Sequence, residues 1–311
     1  MIGAVSKALF QTLAGSRHLK GLASRYGMRD ARSFARRFIA GETLAEAIAA
    51  ARQLEGQGLL VTLDALGESV ATGAEADAAT RQYLTLFEPI AASGIGRNVS
   101  LKLTQLGLTI DRATCVDNLR RILDGAGAHD FFVRIDMENS PFTAVTLEIF
   151  ETMWQQGYRN AGIVLQSSLP RSESDVARMN ELGARVRLVK GAYQEPKQVA
   201  YQAKADVDAA FVRIMRVLLT AGKSPAIATH DPAMIDATRA FAREHGIPND
   251  RYEFQLLYGI RRDLQASLVR EGRRVRVYVP FGREWFPYFM RRLGERPANV
   301  GFVIRGILRD Q

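Results

Sequence analysis

Residues 131–168 read FFVRIDMENSPFTAVTLEIFETMWQQGYRNAGIVLQSS. The two ends of this stretch, FFVRIDME and AGIVLQSS, are short apolar runs rich in β-branched and aromatic residues, which is typical of buried strands. The middle part, AVTLEIFETMWQQGY, has apolar residues at three- and four-residue spacing, which is typical of an amphipathic helix. The order strand, helix, strand predicts one repeat of a parallel β/α sheet.

The same alternation continues along most of the chain. Strand-like segments occupy residues 58–68, 98–107, 131–138, 161–168, 185–193, 225–231, 252–259 and 274–282, with helix-like segments between them. Eight repeats match the count of a (β/α)₈ barrel, and their total span is close to the roughly 250 residues that such barrels take. We therefore predict an α/β fold, a (β/α)₈ TIM barrel over residues 58–311.

Residues 1–57 precede the first predicted strand and are expected to form a helical extension. The segment ARSFARRFIAG (31–41) is amphipathic, and Thr43 with Glu46 forms a capping box before LAEAIAAARQL. Since no linker rich in Pro, Ser or Gly follows, we predict that this extension packs on the barrel.

The composition is that of a globular chain that does not cross a membrane. Its 311 residues are 47% hydrophobic and 24% charged, enough for a large core, and no apolar run approaches the roughly 20 residues of a membrane-spanning helix. The single cysteine, Cys115, shares an apolar helical face with Leu119 and Ile122 and can form no disulfide within the chain. A cytoplasmic location is therefore expected.

The net charge of +9 is concentrated in two regions. Residues 1–37 hold eight Lys or Arg against Asp30, and residues 259–296 hold ten basic residues against four acidic ones. Such runs are usually solvated faces, and no nucleic-acid-binding motif accompanies them, so no nucleic acid partner is expected. A peripheral contact of residues 1–37 with the inner face of the cell membrane stays open.

Polar side chains stand at the ends of six predicted strands. The C-terminal ends of barrel strands carry the active site, and buried charges need partners, so this pattern indicates a site. The polar residues are Lys102, Asp136, Glu138, Gln166, Arg187, Lys190, Tyr193, Thr229, His230, Asp231 and Tyr278, and Gly191 and Ala192 stand between Lys190 and Tyr193. Any one of them alone would be better explained as a structural ion pair.

A second polar cluster follows the last predicted strand, in REWFPYFMRRLGER. Its helical spacing places Tyr288, Arg291, Arg292 and Glu295 on one face. Paired guanidinium groups are good receptors for a carboxylate, although an exposed basic helix is the commoner origin of an Arg-Arg pair. Its position at the catalytic end of the barrel favours the receptor.

The familiar cofactor motifs are absent from the sequence. The two Gly-x-Gly pairs, Gly56 to Gly58 and Gly94 to Gly96, precede strands instead of following them, and the four histidines are too scattered for a metal site. The best candidate for a pyrophosphate site is Lys190-Gly191-Ala192, because a Gly-Ala turn exposes backbone N–H groups while the lysine offsets negative charge.

Several strings together resemble the proline dehydrogenase family, in particular its short monofunctional bacterial members. They are SLKLTQLGL, VRIDMENSPFT, RLVKGAYQEP, ATHDP, EFQLLYG and VRVYVPFGREWFPYFMRRLGERPANVGF, in this order between residues 100 and 302. The resemblance implies a distorted (β/α)₈ barrel that holds FAD non-covalently, with a final helix over the barrel mouth. It implies oxidation of L-proline to 1-pyrroline-5-carboxylate by hydride transfer to the flavin, with electrons passed to a membrane quinone.

The resemblance also implies three groups of site residues. Substrate-binding residues would be Lys102, Tyr278, Tyr288, Arg291, Arg292 and Glu295, with Glu295 orienting the arginine pair. FAD-binding residues would be Met137, Gln166, Arg187, Lys190, Gly191, Ala192, Thr229 and His230. Catalytic residues would be Arg187, suited to stabilising negative charge on reduced flavin, and Asp136, which either accepts the amine proton or only positions Lys102.

Two further expectations follow from the resemblance. Tyr278 is expected to favour proline over 4-hydroxyproline, because its bulk would crowd a ring hydroxyl, as in proline-selective members of the family. The chain departs from many members in the run Gln166-Ser167-Ser168-Leu169, which lacks an aromatic residue that they carry there, so that contact is not expected. With 311 residues, the next dehydrogenase of the pathway, acting on pyrroline-5-carboxylate, is expected to be a separate chain.

Two other hypotheses remain at this stage. Lys102 or Lys190 could form a Schiff base in an aldolase-type barrel, since desolvated lysines at strand ends do this work. The basic N-terminal region could instead belong to a non-enzymatic module that binds anionic lipid or nucleic acid. The ordered strings favour the dehydrogenase over both.

Overall fold

Eight parallel strands close into one barrel in a computed structural model that describes residue 28 and residues 33–295. The strands are β1 (Leu60–Ala65), β2 (Asn98–Leu101), β3 (Phe132–Ile135), β4 (Ala161–Gln166), β5 (Arg185–Val189), β6 (Ala226–Ala228), β7 (Glu253–Leu257) and β8 (Val275–Phe281). The α-helices of this part of the chain are α1 (Leu44–Glu55), α2 (Gly73–Ser93), α3 (Arg112–Ala128), α4 (Ser140–Gln155), α5 (Ser172–Leu182), α6 (Lys204–Ala221), α7 (Pro232–Glu244), α8 (Arg262–Arg270) and α9 (Trp285–Glu295).

Strand order follows chain order, and β1 pairs with β8 to close the barrel, with Thr62 opposite Tyr278. Each of the eight predicted strand segments contains one of these strands, so the prediction of a (β/α)₈ barrel is confirmed. The segment predicted over 98–107 is a strand only as far as Leu101, since Leu103–Leu106 form a 3₁₀ turn. Lys102 therefore follows β2 and stands at the mouth of the barrel.

Alternate residues of each strand face opposite ways, and the two faces differ in chemistry. The outward face packs on the helices through buried apolar residues such as Val61, Val133 and Ile163. The inward face is polar: Arg187 of β5 bonds across the barrel to Ser100 of β2 and to a residue of β7. Layers of Val, Ile and Leu usually fill the interior of such a barrel. Charged residues in this interior therefore indicate a binding or catalytic site.

The segment before β1 packs on the barrel. The capping box of Thr43 and Glu46 is present at the start of α1, as predicted. The Ala40 amide donates to the Pro280 carbonyl at 2.9 Å, and the Gly282 amide donates to the Gly41 carbonyl at 2.9 Å, so residues 40 and 41 are bonded to β8 and the residue after it.

The amphipathic helix predicted over 31–41 is wrong for the described part of that segment. Only Phe34–Arg37 is helical there, as one 3₁₀ turn, because residues 40 and 41 instead form main-chain hydrogen bonds with Pro280 and Gly282. Residues 1–27 and 29–32, and with them most of the predicted membrane-contacting region, lie outside the described residues.

Helix α9 and the N-terminal segment share a second apolar core beside the barrel mouth. Phe38 and Ile39 are fully buried against Trp285 and Phe289 of α9. This core seats α9 at the C-terminal ends of the strands, which confirms the predicted final helix over the mouth.

The thiol of Cys115 is buried on α3. Among the residues described here, the helices are all too short or too polar to cross a bilayer.

Candidate active site

A cavity of about 640 Å³ opens at the C-terminal ends of the strands, beneath α9. Its volume lies in the range of sites for small molecules and cofactors. The lining includes all but one of the residues predicted to bind substrate or FAD or to take part in catalysis, namely Lys102, Asp136, Met137, Gln166, Arg187, Lys190, Gly191, Ala192, Thr229, His230, Tyr278, Tyr288, Arg291 and Arg292. The exception is Glu295, whose side chain lies outside the described residues.

Asp136 and Arg187 form an ion pair at the floor of the cavity. Asp136 directly follows β3, and its Oδ1 accepts a hydrogen bond from Nη1 of Arg187 at 2.6 Å. Its Oδ2 accepts from the Tyr278 hydroxyl at 2.8 Å, and the Arg187 guanidinium lies 5.4 Å from the centre of the Tyr278 ring. Burial and the negative charges of Asp136 and Asp64 raise the pKa of Tyr278 well above its usual value, so Tyr278 stays a hydrogen-bond donor.

Lys102 lies between two carboxylates. Its Nζ is 3.6 Å from Oδ2 of Asp64 and 4.0 Å from Oδ2 of Asp136, and 9% of its side chain is exposed. Burial alone would lower the pKa of Lys102, but the negative charges of Asp64, Asp136 and Glu68 outweigh burial and raise it. Lys102 is therefore a permanent cation at the cavity wall.

Asp64 is a site residue that sequence reasoning missed. It stands on the inward face of β1, its side chain is fully buried, and burial raises its pKa although the Lys102 ammonium opposes the shift. The signal was present in the sequence, since an aspartate inside the apolar run LLVTLDAL meets the same criterion that selected Lys102 and Asp136.

Arg291 and Arg292 project from α9 to the same cavity but have different partners. Nη1 of Arg291 donates to Oε1 of Glu68 at 2.6 Å. Burial would raise the pKa of Glu68, but the Arg291 charge outweighs burial and lowers it. The Arg292 guanidinium lies 5.1 Å from the centre of the Tyr288 ring. Sequence reasoning missed Glu68, the ion partner that the structure gives to Arg291.

The opposite side of the cavity is built from the ends of β4, β5 and β6. Nε2 of the Gln166 side chain donates to the main-chain carbonyl of Glu138 at 2.7 Å. Nε2 of His230 accepts from the main-chain amide of Leu257 at 3.0 Å. Gly191 has φ +112°, and a Cβ there would collide with Oγ of Ser168. Only glycine therefore brings this backbone so close to β4.

Lys190 is held by two aspartates that sequence reasoning did not connect with it. Its ammonium bonds to Asp208 of α6 and, at 2.6 Å, to Asp231 at the N-terminus of α7. Lys204 bonds to the same two carboxylates. The Lys190 bond and a smaller effect of Lys204 outweigh burial and lower the pKa of Asp231 to about 2. Glu138, in contrast, turns away from the cavity and accepts two hydrogen bonds from Thr104.

The site therefore has two chemically different sides that meet at Arg187. One side carries the fixed cations Lys102, Arg291 and Arg292 together with two tyrosines, and can bind a small carboxylate with an apolar body. The other side carries a glycine turn and polar strand ends, and can bind a larger polar cofactor. The assignment of individual residues to substrate or cofactor stays a prediction.

A family model described as proline dehydrogenase matches residues 47–305. The chain belongs to the proline dehydrogenase family. The chain is 42% identical over 305 residues to Proline dehydrogenase 2 of Bacillus subtilis (strain 168). The aligned region covers 98% of this chain and 99% of that relative. The chain is 43% identical over 281 residues to Proline dehydrogenase of Deinococcus radiodurans, covering 89% of this chain and 91% of that one.

Longer proline dehydrogenase relatives share the fold. The Bifunctional protein PutA of Escherichia coli (strain K12) is 30% identical, but this chain spans 24% of its length. The solved structure of proline utilization A from Bdellovibrio bacteriovorus, inactivated by N-propargylglycine, superposes with a TM-score of 0.79 at 28% identity, covering 84% of this chain and 32% of that one. The predicted membership of the proline dehydrogenase family is thereby confirmed.

Proposed function

We propose that this chain oxidises L-proline to 1-pyrroline-5-carboxylate, with FAD as hydride acceptor and a membrane quinone as the final acceptor. The observation that carries the proposal is one cavity in which three fixed cations, Lys102, Arg291 and Arg292, lie beside the Asp136–Arg187 ion pair. Proline offers a carboxylate that the three cations can bind, and an apolar ring. Its reacting ring carbon gives up a hydride, and Arg187 can stabilise the negative charge that the hydride acceptor gains.

The cofactor side of the cavity fits a flavin nucleotide. Gly191, which has no Cβ, lets the turn pack against Ser168 after β4, and residues 190–192 line the cavity, where their backbone could meet a ligand. Met137, Gln166, Thr229 and His230 line the same side and would hold the cofactor. Bound FAD supplies a two-electron acceptor for the hydride that leaves the ring carbon next to nitrogen.

On the substrate side, the residues would orient proline by charge and shape. Arg291 and Arg292 present planar pairs of donors to the carboxylate, with Lys102 as a third cation. Tyr278 and Tyr288 line the cavity and would pack against the ring. The bulk of Tyr278 supports selectivity for proline over 4-hydroxyproline. Glu295 is proposed to orient the arginines on the resemblance alone.

Arg187 would stabilise the negative charge that develops on the cofactor side, because its guanidinium is buried and held in a fixed direction. Asp136 already accepts hydrogen bonds from Arg187 and Tyr278, and its carboxylate lies 4.0 Å from the Lys102 ammonium. This arrangement supports a positioning role for Asp136 over the role of accepting the amine proton.

The Schiff-base alternative is poorly supported by the same geometry. A Schiff-base lysine must lose its proton to attack a carbonyl, and the carboxylates around Lys102 raise its pKa instead. Lys190 is likewise bonded to two carboxylates. Membership of the proline dehydrogenase family further favours the dehydrogenase over an aldolase-type enzyme.

We also propose a separate pyrroline-5-carboxylate dehydrogenase as a partner, since the relatives matched along their full length are short chains like this one. A cytoplasmic enzyme with a peripheral contact to the inner membrane face would deliver electrons to quinone. Of residues 1–37, where this contact is proposed, the structure describes residue 28 and residues 33–37.

The test is a visible absorption spectrum of the purified protein before and after anaerobic addition of L-proline. Flavin bands that bleach with proline are expected. A yellow protein whose flavin bands do not change with proline would contradict proline as the substrate. A colourless protein that FAD cannot reconstitute would contradict FAD as the cofactor.

A further inference from the structure

The direction of the Arg187 guanidinium depends on Gln255 of β7, which borders the cavity, and on residues below it in the barrel. Arg187 donates from Nη1 to Asp136 and from Nη2 to Ser100 at 3.2 Å. Its third donor, Nε, points to β7 and reaches Oε1 of Gln255 at 2.5 Å. Gln255 is 5% exposed, so water cannot easily replace this bond.

The Gln255 amide can support Arg187 in only one orientation. Its oxygen accepts hydrogen bonds, whereas its NH₂ group would face the donor of Arg187 and repel it. Nε2 of Gln255 donates to Oε1 of Glu253 at 2.5 Å. Because a carboxylate can only accept, Glu253 selects the NH₂ end and leaves the oxygen facing Arg187.

Glu253 is itself fixed by Arg276 of β8. Nε of Arg276 donates to Oε1 at 2.8 Å and Nη2 donates to Oε2 at 3.1 Å, which is a two-point contact between planar groups. Burial would raise the pKa of Glu253, but Arg276 and the Gln255 bond outweigh burial and lower it. Glu253 therefore remains an acceptor at any pH at which the enzyme would be assayed.

We propose that Gln255 and Glu253 are positioning residues for Arg187. Residues two apart in a strand face the same way, so β7 places both side chains inside the barrel, one above the other. Together with Arg276 they form a buried hydrogen-bonded chain from the lower barrel to the cavity floor. The inference rests on the proposed function, in which Arg187 stabilises reduced flavin.

The first test compares Gln255→Met with the wild-type holoenzyme. Methionine keeps the length of the side chain but accepts only weakly, so Nε of Arg187 loses its partner. We expect a lower flavin midpoint potential, by about 30 mV for a tenfold change in a two-electron equilibrium. We also expect a kcat about 10-fold lower and a KM for proline within about twofold of wild type.

Arg187→Lys serves as the reference variant in the same measurements. If it shifts the potential while a folded Gln255→Met keeps the wild-type potential and kcat, the positioning role is wrong and the proposed function stands. If Arg187→Lys leaves the potential unchanged, the proposed role of Arg187 is wrong, and the positioning proposal is overturned with it.

A second variant addresses Glu253, whose single replacement would leave Arg276 buried without its partner and could unfold the chain. The double variant Glu253→Gln, Arg276→Met removes both charges, and the amide introduced at position 253 can then turn either end to Gln255. We expect a smaller fall in potential in the same direction. The matched control is Glu271→Gln, Arg239→Met, which removes a more exposed ion pair between α7 and the residue after α8. Equal potentials in the two double variants would overturn the role of Glu253.

Discussion

Arg291 is the residue for which we propose both a structural role and a role in substrate binding. It projects from α9, pairs with Glu68 after β1, and lines the cavity with Lys102. The negative charge of Glu68 compensates the cation in the free enzyme, and a substrate carboxylate would add a second acceptor. Removing the guanidinium should therefore weaken substrate binding more than the chemical step.

We expect Arg291→Met to raise KM for proline by about 10- to 100-fold, the equivalent of about 1.5–3 kcal/mol for a charge-assisted hydrogen bond. Steady-state kinetics with proline measure this change. Arg262→Met, at the exposed start of α8, controls for the loss of a positive charge. The double variant Glu68→Gln, Arg291→Met removes the unpaired carboxylate, and a wild-type KM in that variant would contradict the role.

Cys115 is a residue whose chemistry the fold suppresses. Burial raises the pKa of its thiol to about 12, with smaller effects from Glu138 and Asp111. The thiolate is the reactive form, so at ordinary assay pH the folded protein should be inert to thiol reagents. We expect no labelling of the native protein by a chromogenic disulfide near neutral pH, and labelling of this single thiol after denaturation. Rapid native labelling would show that α3 opens.

At the scale of elements, helix α1 begins with a charge network that depends on pH. Glu46 accepts bonds from the amide and hydroxyl of Thr43 and from Nη2 of Arg36 at 2.6 Å. Burial alone would raise the pKa of Glu46, but these bonds outweigh burial and lower the pKa to about 2. Since the folded pKa is below the usual value of 4.5, ionised Glu46 stabilises the fold above pH 4.5.

Glu46→Gln should lower the free energy of unfolding by about 1 kcal/mol at neutral pH, because the amide keeps the capping box but loses the charge-assisted bond to Arg36. The difference from wild type should shrink as the pH falls from 4.5 to about 2, because wild-type Glu46 then takes up a proton. Urea unfolding across this range measures the difference. Glu88→Gln on the exposed face of α2 controls for a lost charge, and a gap that stays constant across the whole range would contradict the prediction.

At the scale of the whole molecule, the N-terminal segment and the barrel meet at a contact that admits no side chain. Gly259, just after β7, has φ +71°, and a Cβ there would collide with the carbonyl oxygen of Arg37. The same segment bonds to β8, and Glu42 accepts from the indole of Trp285 at 3.1 Å. This docking holds α9 over the cavity.

Gly259→Ala should therefore destabilise the protein more than a left-handed backbone alone requires. Gly246→Ala is the matched control, because Gly246 also has positive φ, +62°, but has open space around it. We expect about 1–2 kcal/mol for the control and at least about 2 kcal/mol more for Gly259→Ala. Thermal unfolding measures both, and equal losses would mean that residue 37 moves aside freely.

Local pattern was sufficient for the strands and for most of the cavity lining. β-Branched runs and three- to four-residue spacing are properties of short segments, so the eight strands and the cap of α1 could be predicted without long-range information. Lys102, Asp136 and Arg187 were selected because a charge inside an apolar run stands out. The same criterion applies to Asp64 and would have found it.

Sequence by itself determined the fold class, the family and which residues would surround the cavity. Only the tertiary structure decided which of them are partners: Glu68 and Arg291 are 223 residues apart, and Arg187 and Gln255 are 68 apart. Closure of the barrel brings such residues together, and no short-range spacing encodes their pairing. For the same physical reason residues 40 and 41 are not helical, since their bonds to β8 and to Gly282 outweigh the local helical pattern.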